Sequence, residues 1–145
     1  MKTITYLSLF LFAMTFTSCD ETKKVIDAAG NVQINGNYTV SELKGEAVSG
    51  SEVPSFSLSA VDNSIKGTTS CNSVFGNYSL DLYAINFGDL AVTKKMCDSQ
   101  SMKNESSFLN ALNNTGSYDI TNDVLTLYSK TDRTVLLKAK KKSNK

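Results

Sequence analysis

From Gly36 onward, apolar and polar residues alternate with a period of two, and clusters of Gly, Asn, Asp and Ser interrupt the alternation at short intervals. In Ser55–Val61, Phe56 and Leu58 are interleaved with serines, and a second short segment, Ser64–Ser70, follows the Asp62-Asn63 turn signal. Leu90 and Val92 alternate in Asp89–Lys95, and Val135 and Leu137 do so in Arg133–Ala139. Two stretches match each other more closely: Tyr78, Leu80, Ile85 and Phe87 have the same offsets as Tyr118, Ile120, Leu125 and Leu127. Broken at Asp81 and at Asn122-Asp123, each reads as a strand-turn-strand hairpin with one apolar face. The repetition fits either a duplicated hairpin or two independent solutions of one turn problem.

One segment has a different period. Between Asp98 and Asn114, Met102, Glu105, Phe108, Leu109 and Leu112 recur at steps of three and four, and β-branched residues are absent. This predicts a single helix, capped by Ser99 or Ser101 and ending near Gly116, whose apolar stripe lies on a sheet. The inward-facing set expected from the strands is Phe56, Leu58, Ile65, Phe75, Leu80, Ile85, Phe87, Leu90, Leu125, Leu127, Val135 and Leu137, covered by Phe108, Leu109 and Leu112 of the helix.

The N-terminal residues follow neither pattern. Lys2 precedes a mainly apolar run, Ile4 to Phe16, that is too short for a membrane-spanning helix and has the form of a signal peptide. It ends on Phe16-Thr17-Ser18-Cys19, which resembles the lipobox of bacterial lipoproteins, with Phe16 where an aliphatic residue is usual. The expected organisation is a signal peptide over residues 1–18, a lipidated Cys19 leading a flexible tether over 19–35, a domain over 36–140 and a basic tail over 141–145. Cleavage before Cys19 removes Lys2 and leaves 14 basic residues (15 − 1) against 14 acidic ones. With no net field, nucleic acid is not an expected partner.

Composition narrows the chemistry. The chain of 145 residues, 41% of them hydrophobic, is sized for one domain, and it contains no histidine. That removes the usual general base and the commonest metal ligand. With Cys19 assigned to lipid, only Cys71 and Cys97 remain. Zinc would require more ligands than they supply, and a nucleophilic cysteine would have only Lys94 and Lys95 nearby to lower its pKa. In a chain directed out of the cytoplasm, a Cys71–Cys97 disulfide is the expected use. No cofactor, no metal and no catalytic residue is expected. Asp81, Asp89, Asp98, Asp119 and Asp123 lie beside Asn, Gly or Ser in turn contexts. Asn72 is expected to bond its own turn, and Lys138–Lys145 to form a solvated tail.

The series Gly67, Cys71-Asn72, Gly76, Tyr78, then Ile85 to Cys97 (INFGDLAVTKKMC), Glu105, Phe108-Leu109, Leu112, Tyr118 and Leu125–Leu127 resembles the META domain of HslJ-like bacterial proteins. The resemblance spans roughly Gly36 to Lys140. It implies a mainly β (α+β) fold, a small antiparallel half-barrel with one helix packed across it. It also implies a link to envelope stress and antibiotic tolerance rather than a defined chemistry. Two departures are a tyrosine region around Tyr38 where tryptophan is common, and Met96 where alanine is frequent. The functional expectation is a monomeric, non-catalytic envelope lipoprotein, held to the membrane, most naturally the outer membrane, through Cys19. It would bind or scaffold an envelope protein partner. The alternative is a carrier of lipid or another apolar ligand, by analogy with secretin pilotins.

Overall fold

A computed structural model describes Val25 and residues 29–143, so the signal segment, Cys19 and most of the expected tether lie outside the described residues. A short helix, α1, covers residues 29–34. The strands are β1 (Gly36–Leu43), β2 (Glu46–Ala47), β3 (Ser55–Ser59), β4 (Ser64–Thr68), β5 (Ser73–Asp81), β6 (Ala84–Phe87), β7 (Ala91–Val92), β8 (Thr115–Thr121), β9 (Val124–Ser129) and β10 (Val135–Lys141). A long helix, α2 (Ser99–Asn114), joins β7 to β8. All pairings are antiparallel, and the hydrogen-bonded order β10-β9-β8-β6-β5-β4-β3-β1 returns on itself because β1 also pairs with β10.

The expected half-barrel is therefore corrected to a closed barrel of eight strands, with β2 and β7 as short additions outside the ring. Closure depends on β1, which serves both neighbours: Gly36–Thr39 pair with β3, while Tyr38–Leu43 pair with β10. A register shift between Val40 and Glu42 changes the parity of the strand, so Tyr38 and Val40 point inward before it and Leu43 after it. The weakest seam is β6 against β8, a single ladder pair at Ala84 and Ser117.

The two matched hairpins form in the expected register. Tyr78 faces Phe87 and Leu80 faces Ile85; Tyr118 faces Leu127 and Ile120 faces Leu125. Each closes over a two-residue turn with left-handed backbone, at Leu82 in one and at Asn122 and Asp123 in the other.

Eight strands enclose a space that side chains just fill. Here Tyr38, Leu58, Ile65, Val74, Ile85, Leu125, Leu127 and Leu137 fill it, with Phe108 and Leu112 from α2. Tyr38 stacks on Phe56 with ring centroids 5.4 Å apart, and Phe56 meets Phe108 at 5.7 Å. Phe75 is a correction: it is 48% exposed, because β5 turns Val74, Gly76 and Tyr78 inward and the alternation sends Phe75 to the outer face. Leu80, Leu90, Val135 and Leu109 are only half-buried.

The turns β3–β4, β5–β6 and β8–β9 lie at one end of the barrel with α1, and β4–β5 and β9–β10 at the other with α2. Helix α2 packs against β1, β6, β9 and β10. Its cap is Asp98, not Ser99 or Ser101: Asp98 Oδ1 accepts from the Gln100 and Ser101 amides at 3.0 Å each. Its buried face is Ser101, Asn104, Phe108, Ala111 and Leu112, rotated from the expected stripe so that Met102 and Glu105 sit at its margin. At the other end, Ile34 of α1 is fully buried and its carbonyl accepts from the Tyr38 hydroxyl at 2.7 Å. The expected tether over 19–35 is thus corrected at its C-terminal end, where residues 29–34 belong to the folded body. The expected basic tail is shortened too. Lys138–Lys141 are part of β10, with Lys138 paired to Glu42 at 3.0 Å and Lys141 Nζ donating to the Gln33 carbonyl at 3.1 Å.

Candidate functional site

The densest polar cluster forms around the β4–β5 turn. Residues 69–72 turn sharply enough that the Thr69 amide donates to the Asn72 carbonyl at 2.8 Å, while the Asn72 amide donates to Thr69 Oγ1 at 2.9 Å. Ser70 takes φ 91°, a conformation that favours glycine. The turn holds Cys71 with its Cα 5.8 Å from that of Cys97, and the two are disulfide-bonded, as expected.

The Asn72 side chain reaches mainly beyond its own turn, where its one contact is Nδ2 with Cys71 Sγ at 3.4 Å, and this corrects the expectation of a purely local role. Its Oδ1 accepts from the Lys95 amide at 2.7 Å and from Thr93 Oγ1 at 2.9 Å. Its Nδ2 donates to the Lys95 carbonyl and to Glu105 Oε1, both at 3.2 Å. The other carboxylate oxygen of Glu105 accepts from the Thr69 hydroxyl. Asn72 and Thr69 are buried. This one amide therefore fastens the β4–β5 turn, the Thr93–Lys95 segment and helix α2 to each other, alongside the disulfide. Sequence reasoning missed Glu105 as a polar partner because its spacing fits the apolar stripe of α2. Its signal was its place beside Cys71-Asn72 in the same family motif.

Of the candidate carboxylates, Asp81 ends β5, Asp89 follows β6, Asp119 lies in β8 and Asp123 in the β8–β9 turn. Asp98 caps α2, and the Ser101 hydroxyl, 2.6 Å from its Oδ2, holds its carboxyl below the usual range. Asp62 is lowered by the Ser59 and Ser64 hydroxyls, and Asp132 chiefly by the Ser129 hydroxyl and the Thr134 amide. Asp119 accepts from Thr121 Oγ1 at 2.7 Å. Burial pushes the phenols of Tyr38 and Tyr78 up. Among the described residues no group of three or more His, Cys, Asp or Glu is arranged to hold a metal ion.

At the α1 end, Ala29, Gly30 and Gln33 face Leu82, Tyr83 and Tyr118 across a surface pocket of about 280 Å³. A broader depression, about 510 Å³, runs between α2 and the β6–β7 link, lined by Phe87, Leu90, Val92 and Leu109. Each is floored by one residue of the buried core, Tyr118 in the first and Phe87 in the second.

These features define a class: a small disulfide-stapled antiparallel β-barrel, capped at one end by a long helix and at the other by a short one. The chain belongs to the META domain family, whose model matches residues 31–142. Among solved structures it is similar to a protein from Burkholderia xenovorans determined by NMR, with 21% identity, a TM-score of 0.63, and coverage of 81% of this chain and 89% of that one. A second NMR structure has 23% identity and a TM-score of 0.60, covering 76% and 92%. The crystal structure of a DUF4847 family protein from Bacteroides vulgatus has 16% identity and a TM-score of 0.58, covering 81% and 99%. At these identities the likeness is one of fold. No functionally curated protein matches the chain.

Proposed function

We propose that this protein is a non-catalytic lipoprotein of the cell envelope, anchored through Cys19, whose META domain binds or scaffolds a protein partner. The observation that carries this reading is the use of the polar groups. Asn72, Thr69 and Glu105 are committed to joining the cystine turn to α2, and Asp62, Asp98, Asp119 and Asp132 to local turns and a cap. These are the bonds of a rigid display scaffold. A disulfide in the same corner suits an oxidising compartment outside the cytoplasm. The carrier alternative has less support, because an acyl chain needs an open interior and this one is filled by Tyr38, Phe56, Phe108 and their neighbours.

The test is fractionation with crosslinking. The wild type is expected in the membrane fraction, and Cys19→Ser in the soluble fraction or unprocessed. Crosslinking in intact cells followed by mass spectrometry should recover the same envelope protein repeatedly. A wholly soluble wild type with unmodified Cys19 would overturn the anchor, and recovery of lipid alone would favour the carrier.

A further inference from the structure

Large apolar side chains that remain exposed are unevenly distributed. Among the described residues they are Val25, Val32, Val61, Phe75, Leu82, Tyr83 and Met96. Apart from Val25, four residues before Ala29, they divide by position in the barrel. Val32 is on α1, Val61 on the β3–β4 turn, and Leu82 and Tyr83 on the β5–β6 turn, so these four share one end. Two contacts tie that end together. Asn35 Oδ1, just after α1, accepts from the Ala60 amide at 3.0 Å, and Gly30 and Gln33 line one pocket with Leu82 and Tyr83. Val61 is 97% exposed, Tyr83 76% and Val32 73%. Turn tips are where polar residues ordinarily belong, so apolar residues on two tips and on the adjoining helix form a surface suited to a partner.

The course of the chain indicates which partner. Cys19 precedes Ala29 by ten residues (29 − 19), a reach of at most about 35 Å, and the chain enters the barrel through α1 at this same end. We propose that the α1 end is a membrane-docking face, with Val32, Val61, Leu82 and Tyr83 seated in the headgroup region of the bilayer. The proposal rests on the anchor at Cys19. Tyrosine suits that depth, since its ring is apolar and its hydroxyl stays hydrated. Asp62, Asp81, Asp119 and Asp123 are at the same end as Lys140, Lys141 and Lys142. The face is therefore not a basic patch. It binds by apolar insertion, and zwitterionic lipid suffices. Docking orients the barrel, with the cystine corner and α2 pointing away from the membrane.

The absence of tryptophan from the chain provides the assay. Tyr83→Trp and, separately, Val61→Trp are introduced as reporters, with Phe75→Trp on the barrel wall as the control. Each protein is isolated from membranes and reconstituted into phosphatidylcholine vesicles. The two end reporters are expected to show blue-shifted emission, quenching by bromine-labelled lipid and protection from aqueous iodide, all unchanged at high salt. Phe75→Trp should show none of these. Iodide access equal at all three positions, with the protein still in the vesicle fraction, would overturn docking and leave the anchor standing. Protein that fails to enter the vesicle fraction would overturn both. Protection from iodide without bromolipid quenching would also overturn docking on lipid, and would assign the face to a protein partner or a second copy of this chain.

Discussion

Replacing Phe108 with alanine distinguishes a filled barrel from a ligand-accepting one. Phe108 has no exposed surface, and it extends from α2 onto Phe56, which in turn stacks on Tyr38. Removing the ring forfeits its transfer free energy and leaves a void between α2 and the barrel. The backbone around that void is held by ring closure, so it relaxes only partly. The expected cost is about 3–5 kcal/mol. Against a total stability of about 5–15 kcal/mol, that is a large fraction. At about 4 °C of melting temperature per kcal/mol for a domain of this size, the midpoint should fall by about 12–20 °C. Leu109 is the internal control. It is the next residue on the helix and only half-buried, so Leu109→Ala should cost roughly half as much. Urea unfolding with the disulfide intact measures both, and an unchanged m-value would show that the change lies in stability rather than in the unfolded ensemble. A cost for Phe108→Ala below about 1.5 kcal/mol, together with saturable fatty-acid binding by the wild type, would refute the filled core and establish a groove.

Three further predictions concern the corners of the barrel. Cys71→Ser and Cys97→Ser should each lower stability by roughly 3–4 kcal/mol for the 27-residue loop (97 − 71 + 1) and the double variant by little more, measured by urea unfolding; strictly additive losses would show that each thiol has a separate role. Asn72→Ala removes the acceptor of the Lys95 amide and one of the two donors to Glu105, whose bond from Thr69 remains, and should cost about 1–3 kcal/mol, and hydrogen exchange at Lys95 should rise while exchange in β9 keeps its order of protection. Asp98 has a depressed folded pKa, so its contribution is complete above the unfolded value of about 3.9 and is lost as pH falls through the folded one. Asp98→Asn retains a capping acceptor and should flatten the acid limb of the stability curve, leaving the share due to Asp62 and Asp132; an identical acid limb would refute the assignment.

The local structure of this protein is legible in the sequence wherever one residue and its near neighbours decide it. The hairpin register of Tyr78–Phe87 and Tyr118–Leu127, the helix over Ser99–Asn114 and the pairing of Cys71 with Cys97 follow from periodicity, turn residues and elimination among three cysteines. What the sequence could not reveal depends on partners far apart in the chain. Closure of the barrel requires β1 to pair with β10, and period-two alternation says that each is a strand without saying which strand it meets. The shift between Val40 and Glu42 changes parity mid-strand, so no alternation rule yields Leu43 as an inward residue. Phe75 is a different case: alternation with Tyr78 and Leu80 already sets it on the outer face of β5, and only its apolar character suggested the core. Glu105 and Asn72 are 33 positions apart and meet only because α2 folds back over the cystine turn. The exposed side chains of α1 and two hairpin turns are likewise unremarkable singly in sequence. Only the antiparallel topology brings them to the end of the barrel where the chain enters, and so makes a surface of them.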